Sequence, residues 1–418
     1  MITRKYPIFI NVFLFKKITS KKIEYKQQNQ KKYYPIKLNR KKNIPEKEKI
    51  LFITHSSNLI YGAAKSLKYI LQNSEMEFDI VFNKKLFHGE LYDKKTILDY
   101  CGSKLENSYS MVLPFSRKVC DCGKTSMFNK IADFIVYYYG LFITKYKLQR
   151  LIKKNQYKYI YLNSLVLINL INKKGNYILH VREVFKGNPR IFKYIVSKMK
   201  LCKGVIFIDS STESSFKNEK IRKIILNNPF DMRDLNGSKI EITDKFKLNK
   251  DKVNILMAGV LSDVKGTNFI IDTFRNIKTD KYQLIIVGSG EEKYVSNVKK
   301  IIHESKNIVF IPEQKDLSEL LKVSDFVIRG ENFFCIGRTI YEALYSGIGV
   351  IIPGKQSDIK NIYDYDLFVD KIHIFKPGDT VSLINLICEL EKNVYKKNHK
   401  DNNLDEYISS FFRFLKES

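Results

Sequence analysis

A lysine beside a glycine, where an apolar run gives way to an amphipathic one, is the first feature with chemical content in this 418-residue chain. In Gly259-Val-Leu-Ser-Asp-Val-Lys265-Gly266 the glycine closing the run lets backbone approach a ligand closely. A lysine in such a loop is placed to neutralise a diphosphate, although the same letters also describe a solvated side chain before a helix start. The densest constellation lies downstream, in Arg329-Gly-Glu331-Asn-Phe-Phe334-Cys-Ile-Gly337-Arg338-Thr-Ile-Tyr-Glu342-Ala-Leu-Tyr-Ser-Gly347. Gly337 precedes a short helix whose N-terminal amides and dipole would face a sheet edge where an anion can sit. Glu342 falls about one turn into that helix. There it either meets a ligand or forms an i,i+4 ion pair with Arg338, which is common and weakly stabilising. Two carboxylates and a glycine turn at such an edge favour the ligand. Gly288-Ser-Gly290 carries less, because the third position of a dinucleotide fingerprint is Lys293, so no dehydrogenase reading follows.

These residues need elements to hold them. Lys49-Ile-Leu-Phe-Ile-Thr54 is a short apolar run, followed by a small-residue turn at Gly62-Ala63-Ala64 and then residues at helical spacing: strand, loop, helix. Strand-like runs recur at Phe78 to Phe82, Tyr159 to Leu162, Tyr177 to Val181 and Gly204 to Ile208. After the polar stretch Asp234 to Lys252 a second series begins, with runs at Val253 to Ala258, Tyr282 to Val287, Asn307 to Ile311, Phe326 to Ile328 and Gly349 to Ile352. Alternation with helical stretches predicts an α/β chain of two Rossmann-like parallel-sheet halves facing a cleft. The expected organisation is a basic, flexible leader over 1–48, an N-terminal domain over 49–235 and a linker over 236–252. A C-terminal domain over 253–395 follows, then a helix over 396–418 crossing back to the first domain. Residues 130–152 predict a helix whose apolar face covers the first domain's core, the alternative being an aromatic and basic membrane-contact surface.

Composition narrows the classes. The net charge is +29, from 73 Lys plus Arg against 44 acids, but residues 1–50 alone hold 15 basic residues against 3 acids. Only 12 of the 73 are Arg, the residue preferred for bidentate phosphate and base contacts, so the excess points to an anionic membrane surface rather than to nucleic acid. Six cysteines include one close pair, Cys120 and Cys122, whose spacing is not that of a zinc knuckle or redox site, so free thiols in a reducing compartment are expected. The longest N-terminal apolar run, Pro7 to Phe15, is too short to span a bilayer. The expected location is the cytoplasm, with a peripheral place on the inner face of the cell membrane.

Together these motifs resemble the family 4 retaining glycosyltransferases of GT-B fold, in bacterial surface-polysaccharide assembly. The family pattern is a glycine, a few residues and Lys-Gly; then Val-Gly-x-Gly; then Glu, seven residues, Glu. Here it is matched in order by Gly259 to Gly266, Val287 to Gly290 and the Arg329 to Gly347 stretch. Leu51 to Leu67 resembles the opening strand and glycine loop, His180-Val-Arg-Glu183 the mid-domain histidine, and Asn227-Asn228-Pro229 the end of the first domain, so the likeness covers about residues 48 to 390.

The resemblance implies transfer of a sugar, with retention, from a nucleotide-diphosphate donor to a saccharide or lipid-linked acceptor, without metal or other cofactor. By it, Lys265 binds the diphosphate with the amides at Gly337, Glu342 the ribose, and the Gly62 loop approaches phosphate and sugar, while His180 lines the sugar site. Two departures stand out. Phe334 occupies the position of the first Glu, so either an insertion lets Glu331 reach the sugar hydroxyls or that contact is lost. Val260 stands where the family often has Arg, and Arg338 is the cation expected to compensate. Two alternatives stay open: a GT-B sugar-nucleotide epimerase, for which Glu183 is the suggestive carboxylate, and a catalytically silent GT-B subunit supporting a partner. Asp364-Tyr-Asp366 has the letters of a metal-binding motif but sits late, as a surface turn.

Overall fold

The computed structural model describes residues 48–418 except 57–58, 60–61, 85–92, 115–133, 136, 186–187, 232–244, 315–316 and 393–401. All but the last residue of the 1–48 leader, the Cys120/Cys122 pair and most of the linker lie outside the described residues.

The described residues form two parallel sheets. The first comprises β1 (Lys49–Thr54), β2 (Glu77–Asn83), β3 (Leu105–Met111), β4 (Tyr159–Leu162), β5 (Tyr177–Val181), β6 (Gly204–Phe207) and β7 (Lys223–Ile225), in the spatial order β3-β2-β1-β4-β5-β6-β7. The second comprises β8 (Val253–Ala258), β9 (Tyr282–Gly288), β10 (Ile308–Pro312), β11 (Phe326–Ile328), β12 (Gly349–Pro353) and β13 (Ile372–Phe375), in the order β10-β9-β8-β11-β12-β13. The central strands read as continuous apolar runs because helices cover both faces of a parallel sheet; β1, β5, β8 and β9 are buried along nearly their whole length. The longer helices are α1 (Gly62–Gln72), α2 (Lys94–Cys101), α3 (Lys145–Asn155), α4 (Pro189–Met199), α5 (Thr267–Arg275), α6 (Glu292–Ile302), α7 (Arg338–Tyr345), α8 (Thr380–Glu389) and α9 (Leu404–Lys416).

In both sheets the strand order reverses direction once, between β1 and β4 and between β8 and β11. Loops leaving the carboxyl ends of the strands at such a switch point diverge, and the crevice between them is where open α/β sheets bind ligands. The switch in the second sheet places the Gly259–Gly266 loop beside the segment Arg329–Glu331, although 62 residues of chain lie between Gly266 and Arg329.

Helix α9 returns to the first domain. Its Tyr407, Phe411, Phe412, Phe414 and Leu415 share a buried cluster with Ile50, Phe52 and Tyr161. The outgoing and returning chain are clamped where they cross: Asp231 bridges antiparallel to Asn402, and Phe230 N donates to Asn403 Oδ1 at 2.7 Å. Leu248, in the stretch read as linker, already packs into the second domain's core.

The segment at 130–152 is helical where it is described, but its orientation corrects the core-facing expectation. Gly140, Thr144 and Leu148 are the buried line, whereas Phe134, Phe142 and Tyr146 are 61%, 68% and 60% exposed. The reason is steric: a Cβ at Gly140 would stand 2.7 Å from the Pro114 nitrogen, so the glycine line, not the aromatic one, can approach the end of β3. Among the described residues no helix is long and apolar enough to cross a membrane.

Candidate active site

The second-domain part of the site is built on two glycines. Gly266 adopts φ +70°, capping the turn Asp263–Lys265 and starting α5, and a Cβ there would lie 1.7 Å from the Gly330 carbonyl oxygen. Only glycine permits both the left-handed backbone and this contact. The contact locks the Lys265 loop onto the end of β11, and Lys265 Nζ stands 3.1 Å from Glu331 Oε1. Arg329 completes the cluster: Nε donates to Glu331 Oε2 at 3.1 Å, Nη2 donates to Oε1, and Nη1 lies 3.4 Å from Thr339 Oγ1. At Gly337 the glycine leaves space, since a Cβ would meet Arg329 Nη1 at 2.7 Å.

The electrostatics follow from burial. Burial alone would raise the Glu331 carboxyl, but the Arg329 and Lys265 cations outweigh it and hold the group below the usual carboxylate range. Burial works against the Arg329 guanidinium as well, and Glu331 restores and raises it. Glu331 is sealed while the Lys265 side chain keeps 40% of its exposure. An ionised, buried carboxylate thus holds a solvent-facing ammonium at the mouth of a small open concavity lined by Met257, Gly259, Val260, Lys265 and Arg329.

Phe334, at the position where the motif has its first Glu, is buried in the domain core below that edge, and Glu331 is the acid that stands at the edge. Arg338 does not supply the cation absent at Val260. Its Nη1 donates to the Pro229 carbonyl at 2.9 Å and its guanidinium lies 5.7 Å from the Tyr69 ring centroid, both in the first domain. Arg329 lines the concavity beside Val260 instead. The sequence contained the signal, an arginine directly after an apolar strand at the switch point, but strand order was needed to recognise it.

Glu342 and Gly62 belong to the seam between the domains. Glu342 Oε1 lies 3.7 Å from Arg338 Nη2 and 3.8 Å from Lys65 Nζ on α1, three residues after Gly62. Gly62 opens α1 at φ +50° with nothing within 4 Å of its Cβ position. Ser211 Oγ donates to the Phe334 carbonyl across the same seam.

His180 is apart from both groups. It is the fourth residue of β5, has no solvent exposure, and its Nδ1 is met by Tyr161 Oη and by Arg182 Nη2 at 3.4 Å. Burial, reinforced by Arg182, holds the imidazole well below its ordinary value. The side chain that carries this strand's polarity toward the edge is Arg182, whose Nε donates to Asn163 Oδ1 at 2.9 Å and Nη1 to Asn228 Oδ1 at 3.1 Å. Asn228 also accepts from Ser66 Oγ, so β4, β5, α1 and the end of the first domain share one polar network. Glu183 accepts from Ser164 Oγ, Leu165 N and Arg182 N, which commits its carboxylate to the turn after β4. Asp364 takes the Tyr345 hydroxyl, a structural contact remote from the concavity.

Comparisons with known proteins agree with this architecture. Residues 238–404 match the family model of glycosyl transferases group 1. No curated protein sequence matches the chain. Among solved structures, Anabaena Alr3699/HepE in complex with UDP and glucose superposes with a TM-score of 0.64 at 16% identity, covering 89% of this chain and 100% of that one. The sucrose-phosphate synthase of Thermosynechococcus elongatus gives 0.63 at 10% identity, covering 88% and 97%. A glycosyltransferase from Rickettsia africae gives 0.61 at 15% identity, covering 89% and 99%. The two parallel-sheet domains are therefore a GT-B fold, and the second of them is the part that matches the model of glycosyl transferases group 1.

Proposed function

We propose that the chain is a glycosyltransferase that moves a sugar, with retention, from a nucleoside-diphosphate sugar to an acceptor hydroxyl, in the assembly of a polysaccharide or glycolipid. The observation that carries the reading is the Lys265 ammonium, held by Glu331 at the mouth of the switch-point concavity. Departure of a nucleoside diphosphate develops negative charge, and a pre-oriented cation worth several kcal/mol in a partly desolvated site lowers that barrier. Ionised Glu331 keeps Lys265 charged and aimed, while Arg329 neutralises the rest of that carboxylate. The backbone amides that open α7 add a second positive end for the same phosphates. Lys265, Arg329 and these amides supply the positive charge for the diphosphate without a metal in this reading. Retention rests on the order of the Lys-Gly, Gly-x-Gly and Glu motifs. The UDP and glucose in the Anabaena structure favour a uridine donor.

His180, fully buried, acts in this reading as a positioning residue for Arg182 rather than as a wall of the sugar site. A second reading, a GT-B subunit that binds donor but needs a partner for turnover, is favoured by Glu342, which is engaged by Arg338 and Lys65. The epimerase reading loses support, since Glu183 is occupied by its turn. Donor hydrolysis screened across UDP-, GDP- and ADP-sugars tests the proposal: turnover of one donor, lost in Lys265→Ala, is expected. Tight donor binding without turnover would transfer the assignment to the silent subunit.

A further inference from the structure

The outward face of the helical segment 134–155 has no role in the transfer reading and carries half of the exposed large apolar side chains of the described residues. Phe134, Tyr138, Phe142 and Tyr146 recur every fourth residue. Neighbouring rings stand at 4.4 Å between Phe134 and Tyr138 and 6.2 Å between Tyr138 and Phe142, so they form one ladder. Ile135 and Ile143, 47% and 43% exposed, widen it. A ladder on the side opposite Gly140, Thr144 and Leu148 cannot reach the protein's own core.

Charge says what covers it. Lys147, Arg150, Lys153 and Lys154 are exposed on the same helix, with Lys145 half-buried beside them, and none of the five has an ion-pair partner among the described residues. From residue 134 to residue 182 the chain contains no Asp or Glu. The neighbouring α4 extends the surface with Arg190, Lys193 and the 42% exposed Tyr194, and is tied to the segment through Asn169, which donates to Tyr137 Oη and accepts from Tyr194 Oη at 2.6 Å. We propose that this face docks on an anionic lipid bilayer, with the aromatic ladder inserted at the headgroup boundary and the lysines on lipid phosphates. Aromatic and aliphatic residues on one face with Lys and Arg beside them and no acid is the composition of an interfacial helix. A second copy of the chain docking by the same face would set lysines against lysines. Nucleic acid offers no partner for the Phe and Ile side chains.

Vesicle binding reads this inference without any sugar donor, so it stands apart from the transfer reaction. The full chain is sedimented with phosphatidylglycerol-containing vesicles and with phosphatidylcholine vesicles, beside Phe142→Ser/Tyr146→Ser and Lys147→Glu/Arg150→Glu. All four positions are exposed, and unchanged thermal unfolding confirms folding. Binding to the anionic vesicles is expected, weakened more than about tenfold in each double variant and by high salt, at roughly 1 kcal/mol per basic residue near the surface. Equal binding of wild type and both variants, equal binding to both lipids, or no binding at all overturns the proposal. So does a concentration-dependent dimer, without lipid, that the Phe142/Tyr146 variant abolishes.

Discussion

The two switch points solve the same geometric problem in opposite ways. At the second, between β8 and β11, the polar groups converge on an ion triad with one member, Lys265, still facing solvent. At the first, between β1 and β4, the polar groups are turned inward: Asn163 holds Arg182, which holds Asn228 and His180, and Tyr161 closes the set from below. An open edge with a solvent-facing cation held by a buried carboxylate is ready for an anionic ligand. A closed network is a scaffold, and whatever binds above it meets the network's rim at Arg182, not the buried imidazole. The difference teaches that the two halves of a symmetric architecture need not divide chemistry equally.

The largest effect should come from removing the backbone contact that keeps the second edge open. Gly266→Ala places a methyl group on the Gly330 carbonyl in a left-handed backbone, and a loss of about 3 kcal/mol or more is expected in chemical unfolding. Lys265→Ala should lower kcat/KM about 10²-fold, with thermal unfolding little changed because Arg329 still pairs with the buried Glu331 carboxylate. A fall in stability as large as the fall in rate would mean that Lys265 is structural and that the two edges are alike.

The closed edge has its own signature, in pH. The unfolded imidazole titrates near 6.5 and folded His180 well below it, so the unfolded state binds the extra proton. Its contribution to stability is therefore complete above 6.5 and is lost as pH falls below that value. The slope is up to about 1.4 kcal/mol per pH unit for a single group. His55 and His373 are shifted in the same direction and add to the fall. His180→Gln should flatten part of the slope in unfolding curves recorded between pH 7 and 5; an unchanged slope would show that the imidazole is not held neutral by the fold. The smallest effect belongs to the seam. Lys65→Ala removes a partly exposed contact to Glu342 and should cost only about 0.5 kcal/mol, while lowering donor KM if that contact competes with the donor's ribose. A raised KM would assign Lys65 to the donor instead.

The central strands and the glycine motifs were legible because buried parallel strands are unbroken apolar runs and because turns at their carboxyl ends need glycine. Of the edge strands only β10 was: β3, Leu-Glu-Asn-Ser-Tyr-Ser-Met, has one neighbour, is half exposed, and shows no apolar run to find. The edge strand β13, Ile-His-Ile-Phe, escaped because a histidine interrupts its short apolar run and its middle is only half-buried. In the site, Lys265 and Glu331 were named from spacing, but their partner Arg329 required knowing that β11 lies next to β8. The strand carrying His180 was read with its observed bounds, Tyr177 to Val181, but the burial of the imidazole was not legible, because the group that meets it is Tyr161 on the neighbouring β4. The orientation of the aromatic helix hung on Gly140, whose meaning depends on a backbone distant in sequence.

The clamp between Asp231 and Asn402 makes the second domain an insert within the first. A fragment ending at Asp231 would leave behind α9 and with it Phe411 and Phe412, opening an apolar hole against Phe52 and Tyr161; supplying residues 402–418 as a separate peptide should fill it. The second domain, by contrast, can be lifted out between its two crossings without taking any strand of the first sheet. Any parting of the two domains has to break the seam contacts of Arg338 with Pro229, Lys65 with Glu342 and Ser211 with Phe334.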